Sequence, residues 1–261
     1  MEVIIRETPE DAAELVATIM GRAIAAKPRI VLGLATGRTM ELVYERLVSL
    51  HEEEGLDFAL VTTFNLDEYI GLPPEDPHSY RHYMNKHLFH RVNIDPRSAH
   101  LPDGIADDID AECAHYEALI AECGGVDLQL LGIGRSGHIG FNEPLSAMRS
   151  RTRAKALSPQ TVAQNQPLFT EPHQMPRRAI TMGVGTILDC KRCVLLATGD
   201  EKADIIAKAV EGPVTAMISA SALQLHPRCT IVVDRSAAAK LEHADYYAWI
   251  FENEPEWEPF R

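Results

Sequence analysis

Apolar and polar positions along this chain fall into blocks whose period switches between strand-like and helix-like spacing. Short apolar runs bounded by Gly or Pro predict strands; apolar residues recurring every three or four positions predict helices. Val3-Ile-Ile5 opens as a strand. Thr8-Pro9-Glu10-Asp11 supplies an N-cap residue, a proline at the first helical position and acids in the first turn, so a helix starts there and runs toward Ala26. Residues 29–33 read as a buried strand, 40–53 as a helix, 59–64 as a strand and 77–89 as a helix. Further on, 108–121 predicts a helix, 126–131 a strand, 179–182 an extended segment and 183–188 a helix start. Residues 194–197 read as a strand, 201–210 and 216–223 as helices, and 229–233 as a strand. This alternation predicts one α/β domain over residues 1–261: a mainly parallel open sheet with helices on both faces, Rossmann-like. Segments 73–96 and 146–176 are long and irregular, and are the expected lids. The polar tail 252–261 is expected to lie loosely on the surface.

Charge narrows the partners. The chain carries 25 Lys and Arg against 38 Asp and Glu, a formal net charge of −13. That balance argues against a nucleic-acid surface, which needs clustered basic residues. It leaves room for a local anion pocket, which a few residues can build. No apolar run reaches about 18 residues, so no membrane span is expected. The first residues lack the basic end and long apolar core of a signal peptide, and a cytoplasmic location is expected. Cys113, Cys123, Cys190, Cys193 and Cys229 form an odd, scattered set that reads as reduced thiols. Cys190-Lys-Arg-Cys193 has redox-motif spacing, but no second Cys or His pair stands at zinc spacing. It reads as part of a helix–strand connection, and no metal is expected.

The candidate chemistry sits where strands end, the place where open α/β sheets bind ligands. The stretch 131–144, LGIGRSGHIGFNEP, is a strand running into a glycine-loosened loop that carries His138 and Glu143. Histidine titrates near neutral pH and suits proton shuttling. A nearby glutamate can orient the ring and stabilise its charged form. A metal reading of the pair lacks the accompanying ligand set. After the 59–64 strand come Asp67 and Glu68. Adjacent carboxylates point in different directions, and one facing a pocket makes a general base whose pKa burial would set. Gly33-Leu-Ala-Thr-Gly-Arg-Thr39 lies between a strand and a helix, where backbone N–H groups and the helix start favour an anion. Arg38 adds a guanidinium suited to phosphate. Lys202, in Thr198-Gly-Asp-Glu-Lys202, falls at a helix start, where a cation opposes the helix dipole unless a ligand needs it. Together these clusters point to a sugar-phosphate enzyme.

At this point the chain resembles the glucosamine-6-phosphate deaminases of the glucosamine/galactosamine-6-phosphate isomerase family. The resemblance runs from Val31 to about Asp234. It rests on LGLATGRT, TFNLDEYIGLP, HSYRHYM, DIDAECAHYE, GIGRSGHIGFNEP, SRTRAKAL, AITMGVGTILD, GDEKA and AVEGPVTAMISASALQLHP, in that order. It implies aldose–ketose isomerisation of glucosamine 6-phosphate with loss of ammonia, giving fructose 6-phosphate. By the resemblance, Asp67 moves a proton between carbons 2 and 1, His138 opens the sugar ring with Glu143 as its partner, and Thr36, Gly37, Arg38, Thr39 and Lys202 hold the phosphate. Neither metal nor organic cofactor is implied.

Three positions depart from the family pattern. Ser136 stands where Asp precedes Gly-His, so Glu143 is expected to orient His138 alone, with Ser136 limited to a hydrogen bond. Pro167 stands where some members carry a phosphate-contacting arginine, and Arg38 replaces the loop's second glycine. Arg38 is expected to supply the guanidinium lost at Pro167. Ser146, Arg153 and Lys155 match positions that bind the activator N-acetylglucosamine 6-phosphate in hexameric members, although a threonine there is Ala156 here. The alternative reading is a basic surface segment. Other functional readings are a deaminase of a different amino-sugar phosphate, a 6-phosphogluconolactonase, and a non-catalytic sugar-phosphate sensor. The sensor reading lacks an attached DNA-binding motif. Members occur as monomers, dimers and hexamers, so a homo-oligomer is a candidate state.

Overall fold

Continuous apolar runs need cover on both faces, and the fold gives it. The computed structural model describes residues 1–169 and 174–261. In chain order its elements are β1 (Glu2–Arg6), α1 (Pro9–Ala26), β2 (Val31–Leu34), α2 (Arg38–Glu54), β3 (Thr62–Asn65), β4 (Asp67–Tyr69), α3 (Tyr80–His87), β5 (Ala99–His100) and α4 (Ile109–Glu122). There follow β6 (Leu128–Leu131), β7 (Arg153–Ala156), α5 (Pro159–Asn165), β8 (Arg178–Thr181), α6 (Val184–Leu188), β9 (Cys193–Ala197), α7 (Ala203–Val210), β10 (Cys229–Asp234) and α8 (Ala244–Asn253). Seven strands form one sheet in the order β1-β10-β9-β6-β2-β3-β5. All its pairings are parallel. Every residue of β2, β6, β9 and β10 is buried, as strands covered on both faces require. The expected α/β fold with a mainly parallel sheet is therefore present. A second, antiparallel sheet pairs β4 with β8 and β8 with β7.

Strand order fixes where a ligand fits. From β1 through β2 and β3 to β5 the chain moves toward one edge of the large sheet; from β6 through β9 to β10 it moves back toward the other. Right-handed crossovers then place α1 and α2 on one face and α4 and α7 on the opposite one. The direction reverses between the neighbours β2 and β6, so the loops leaving their carboxyl ends diverge and open a crevice. A principal core fills both faces of the large sheet. A satellite core of Tyr69, Leu72, Phe141, Leu157, Phe169, Met175 and Ala179 packs with the small one.

Four expectations change. Segment 146–176 is not irregular: it holds β7 and α5, though its residues 170–173 lie outside those described. No period-2 pattern betrays β7, because none of its residues is fully buried. Segment 73–96 is anchored by α3, whose Met84 is buried in the principal core. Residues 219–225 form a 3-10 run, not the α-helix expected over 216–223. There Ser219 donates to the Asn142 carbonyl, and Ser221 to those of Thr215 and Ile218; such local bonds compete with the α-helical ladder. The tail is anchored as well. A 3-10 turn, Pro255–Phe260, brings Trp257 to 0% exposure against Phe251 and Phe260, with the Arg192 guanidinium over its ring. One large ring is enough to dock a polar segment. No helix among the described residues is long and apolar enough to cross a membrane.

Candidate active site

Two of the nominated groups flank the crevice at the β2–β6 switch. The β2–α2 loop ends in Gly37, whose φ of 127° favours glycine alone. Gly37 is the N-cap of α2, and no side chain caps this helix. The Met40 N–H returns to the Gly37 carbonyl at 2.9 Å, so the earlier N–H groups of the first turn are left without an intrahelical acceptor. Arg38 is the first residue of α2; it is exposed and makes no ion pair among the described residues. Thr36 and Thr39 are half-buried beside it.

Lys202 closes a 3-10 turn, Asp200–Lys202, ahead of α7 rather than lying in the first turn of that helix. Its ammonium donates to the Ile133 carbonyl at 2.9 Å, tying the loop after β9 to the loop after β6. Burial pushes its pKa down; Glu201 opposes this and Arg135 adds to it. The sequence reading missed Arg135. It sits at the corner of a turn closed by the Gly137 N–H on the Gly134 carbonyl, and it makes no ion pair among the described residues. Its one signal was a basic residue between glycines; only the fold brings it to Lys202.

The imidazole of His138 lies flat on Gly134, where a Cβ would stand 2.1 Å from Nε2. Any side chain at 134 would displace the ring. Ser136 Oγ is 2.8 Å from Nδ1, and Glu143 Oε2 is 3.4 Å from it. Glu143 therefore does not orient the ring alone: the tight turn folds Ser136 back onto it as the nearer partner. The other oxygen of Glu143 accepts from the Thr161 hydroxyl and the Ser158 N–H. Burial disfavours the Glu143 charge, but the facing His138 imidazole and the hydrogen bonds from Thr161 and Ser158 outweigh it and hold its pKa at about 2.

Asp67 opens β4 opposite Thr181 and is 6% exposed. It accepts no hydrogen bond among the described residues. Burial, reinforced by the neighbouring Glu68 carboxylate, pushes its pKa up to about 8. Glu68 projects from the other side of the strand. It accepts the N–H groups of Tyr69, Tyr80 and Arg81 at 2.8, 2.9 and 2.9 Å, and so caps the start of α3. Burial nonetheless pushes its pKa to about 7. The loop bearing His138 docks on the small sheet through Phe141, whose N–H donates to Thr181 Oγ1 at 3.0 Å. A Cβ on Gly140 would stand 3.4 Å from Asp67 Oδ2, which places the acid against this loop. The rings of Tyr69, Tyr80 and Phe141 pack together alongside.

The remaining nominated residues lie farther along. Arg153 donates to Asn142 Oδ1 at 2.8 Å and to Ser146 Oγ at 3.1 Å, so Ser146 and Arg153 meet. Lys155 follows two positions along β7, on the same side. Pro167 lies in a 3-10 turn, Gln166–Leu168, after α5. A cavity of about 570 Å³ lies between α1 and α2, lined by Gly21, Arg22, Leu50 and Leu56 among others, and holds none of the nominated residues. A smaller one, about 240 Å³, touches Glu68 and Arg81 from behind β4.

Fold and site thus define a doubly wound α/β protein with Asp67 set against the His138 loop and an uncapped helix start at the strand switch. Residues 6–232 match the family described as glucosamine-6-phosphate isomerases/6-phosphogluconolactonase, and the chain belongs to that family. It is 49% identical to a glucosamine-6-phosphate deaminase of Hahella chejuensis over 250 residues, 96% of this chain and 95% of that protein. A glucosamine-6-phosphate deaminase of Arthrobacter sp. is 47% identical over 258 residues, 99% of both chains. Among solved structures, a monomeric glucosamine-6-phosphate deaminase superposes with a TM-score of 0.90 at 45% identity, covering 92% of this chain and all of that one. A 6-phosphogluconolactonase from Leishmania guyanensis gives 0.71 at 22% identity over 91% of this chain and 97% of that one, a likeness of fold alone.

Proposed function

We propose that this chain converts glucosamine 6-phosphate and water to fructose 6-phosphate and ammonia. The observation that carries the reading is one buried carboxyl, Asp67, left without a hydrogen-bond donor among the described residues and set against the loop that carries His138, Ser136 and Glu143. The named relatives, nearly half identical along almost the whole chain, support it.

In this reading the uncapped start of α2, with Thr36, Gly37, Arg38 and Thr39, receives the phosphate, and Lys202 reaches it from the neighbouring loop. His138 moves the proton of the C1 hydroxyl to the ring oxygen. The C1–O5 bond breaks and the open aldehyde forms. Glu143, ionised down to about pH 2, stabilises the imidazolium that arises in between, and Ser136 fixes the ring. Ionised Asp67 then takes the C2 proton; the electron pair forms the C1=C2 bond of an enolamine, and O1 gains a proton. Return of the proton to C1 leaves a C2 iminium. Water adds at C2, ammonia leaves, and the ketose remains. Lactone hydrolysis would need water attack on an ester and no carbon base, which leaves Asp67 without a task. Ser146 and Arg153, with Lys155, remain the candidate seat for an anionic activator.

The test is ammonia release from glucosamine 6-phosphate, with galactosamine 6-phosphate and 6-phosphogluconolactone in parallel. Ammonia from the first substrate alone is the expected result. Turnover of another substrate alone would overturn the assignment and mark Arg38, Ser136 and Pro167 as changes of specificity.

A further inference from the structure

The β2–α2 loop is held by tyrosines from two helices. The Tyr44 hydroxyl, on α2, donates to the Ala35 carbonyl at 2.5 Å. The Tyr83 hydroxyl, on α3, donates to the Gly37 carbonyl at 2.8 Å. The two rings meet edge to face, 6.4 Å between centroids. A third ring, Tyr80, brings its hydroxyl to the Thr36 side chain. The carbonyls at 35 and 37 are thus each tied down by a phenol. A peptide unit whose carbonyl is held cannot rotate freely, so the N–H that follows it is held too. The units concerned end in the N–H groups of Thr36 and Arg38, the first helical residue of an uncapped helix.

We infer that Tyr83 is a positioning residue for the phosphate of the substrate, its hydroxyl holding the Gly37–Arg38 peptide in the orientation that receives the anion. The inference rests on the function proposed above. Tyr44 makes the matching bond to Ala35 but is 0% exposed, so its loss would also disturb the core. Tyr83 is only partly buried, and phenylalanine there keeps the ring packing while removing the donor. Tyr83 stands far along the chain from the loop it holds. It touches neither Asp67 nor His138, so its loss should weaken substrate and transition state alike.

The experiment compares the wild type with Tyr83→Phe in three readouts: ammonia-release kinetics, inorganic phosphate binding by calorimetry, and the thermal midpoint. The expected result is a KM and a phosphate Kd each raised about five-fold, with kcat and midpoint unchanged; five-fold corresponds to about 1 kcal/mol. Equal KM and Kd in the two proteins would overturn the role of Tyr83 while leaving the proposed function intact. A fall in kcat at constant KM would overturn it too, because it would place Tyr83 in the chemistry. A wild type that releases no ammonia and binds no phosphate would remove the functional reading, and this inference with it.

Discussion

Replacing Asp67 by Asn should destroy activity and make the protein more stable, and the gain should depend on pH. Asp67 is buried with no donor among the described residues, so its charged form is expensive. Its pKa rises from an ordinary 3.8 in the unfolded chain to about 8 in the fold. Below the ordinary value both states hold the proton and the site costs nothing. Between 3.8 and 8 the unfolded chain has lost the proton while the fold keeps it, so stability falls with rising pH by about 1.4 kcal/mol per unit. Above 8 the loss levels off. Four units give a ceiling of about 6 kcal/mol, reduced in practice by solvent screening around the acid. Asn carries no such charge at any pH. Calorimetric midpoints of the wild type and Asp67→Asn should coincide near pH 4 and separate as pH rises. Above pH 8 the variant should be ahead by about 2 kcal/mol or more, several degrees for a chain of this size. Ammonia release should be abolished throughout. A variant less stable than the wild type at pH 8, or a difference in midpoint that ignores pH, would refute the reasoning; so would retained turnover.

Further outcomes follow from the same geometry. With Asp67 as base, kcat/KM of the free enzyme should climb with pH and level off near 8, because only the ionised carboxylate accepts a proton; a profile already flat at pH 6 would contradict this. Lys202→Ala should raise KM about ten- to hundred-fold, the loss of one charge-assisted contact, with kcat changed little; an unchanged KM in steady-state assays would exclude the phosphate role. Thr161→Val removes a donor from Glu143, so the Glu143 pKa should rise from about 2 and the stability that this carboxylate contributes should be lost at higher pH in acid titrations. Trp257→Ala should cost about 3–5 kcal/mol in urea unfolding, since the ring is fully buried; a cost below 1 kcal/mol would show that the tail is not docked.

Six strands of the large sheet were legible because most of their residues are buried, which forces continuous apolar runs such as Val31 to Leu34 and Val194 to Ala197; the two-residue edge strand β5, Ala99–His100, was not. Of the small sheet only β8 was legible, through the extended segment read at 179–182. β4 is three residues of Asp, Glu and Tyr, and β7 is half-exposed Arg-Ala-Lys-Ala; neither carries a period that a reader could separate from loop. The tail misled for a related reason: eight polar or Pro neighbours outweigh one Trp in any average, while a single buried indole decides the docking. His138, Glu143, Asp67 and Lys202 stood out by residue type next to glycines at strand ends. Arg135 and Tyr83 did not, because their partners, Lys202 and Gly37, are distant in sequence.

That division bears on how the site is held together. His138, Lys202 and the β2–α2 loop come from the carboxyl edge of the large sheet, whereas Asp67 comes from the small one. The large sheet holds Asp67 through the chain, since Leu66 follows β3 and its N–H donates to the Leu34 carbonyl at the end of β2. Contacts between the sheets add to this: the Phe141 N–H on Thr181 Oγ1, the Asn142 amide on the Met182 carbonyl, and the Met182 N–H on the Leu66 carbonyl, one residue before Asp67. Thr181 is central, since it also pairs with Asp67 across β4 and β8 and with Arg153 across β7 and β8. Asn142 also receives the Arg153 guanidinium, which Ser146 shares. Arg153 of β7 is therefore joined, through Asn142 and through its pairing with Thr181, to the same contacts that hold the His138 loop against the strand of Asp67.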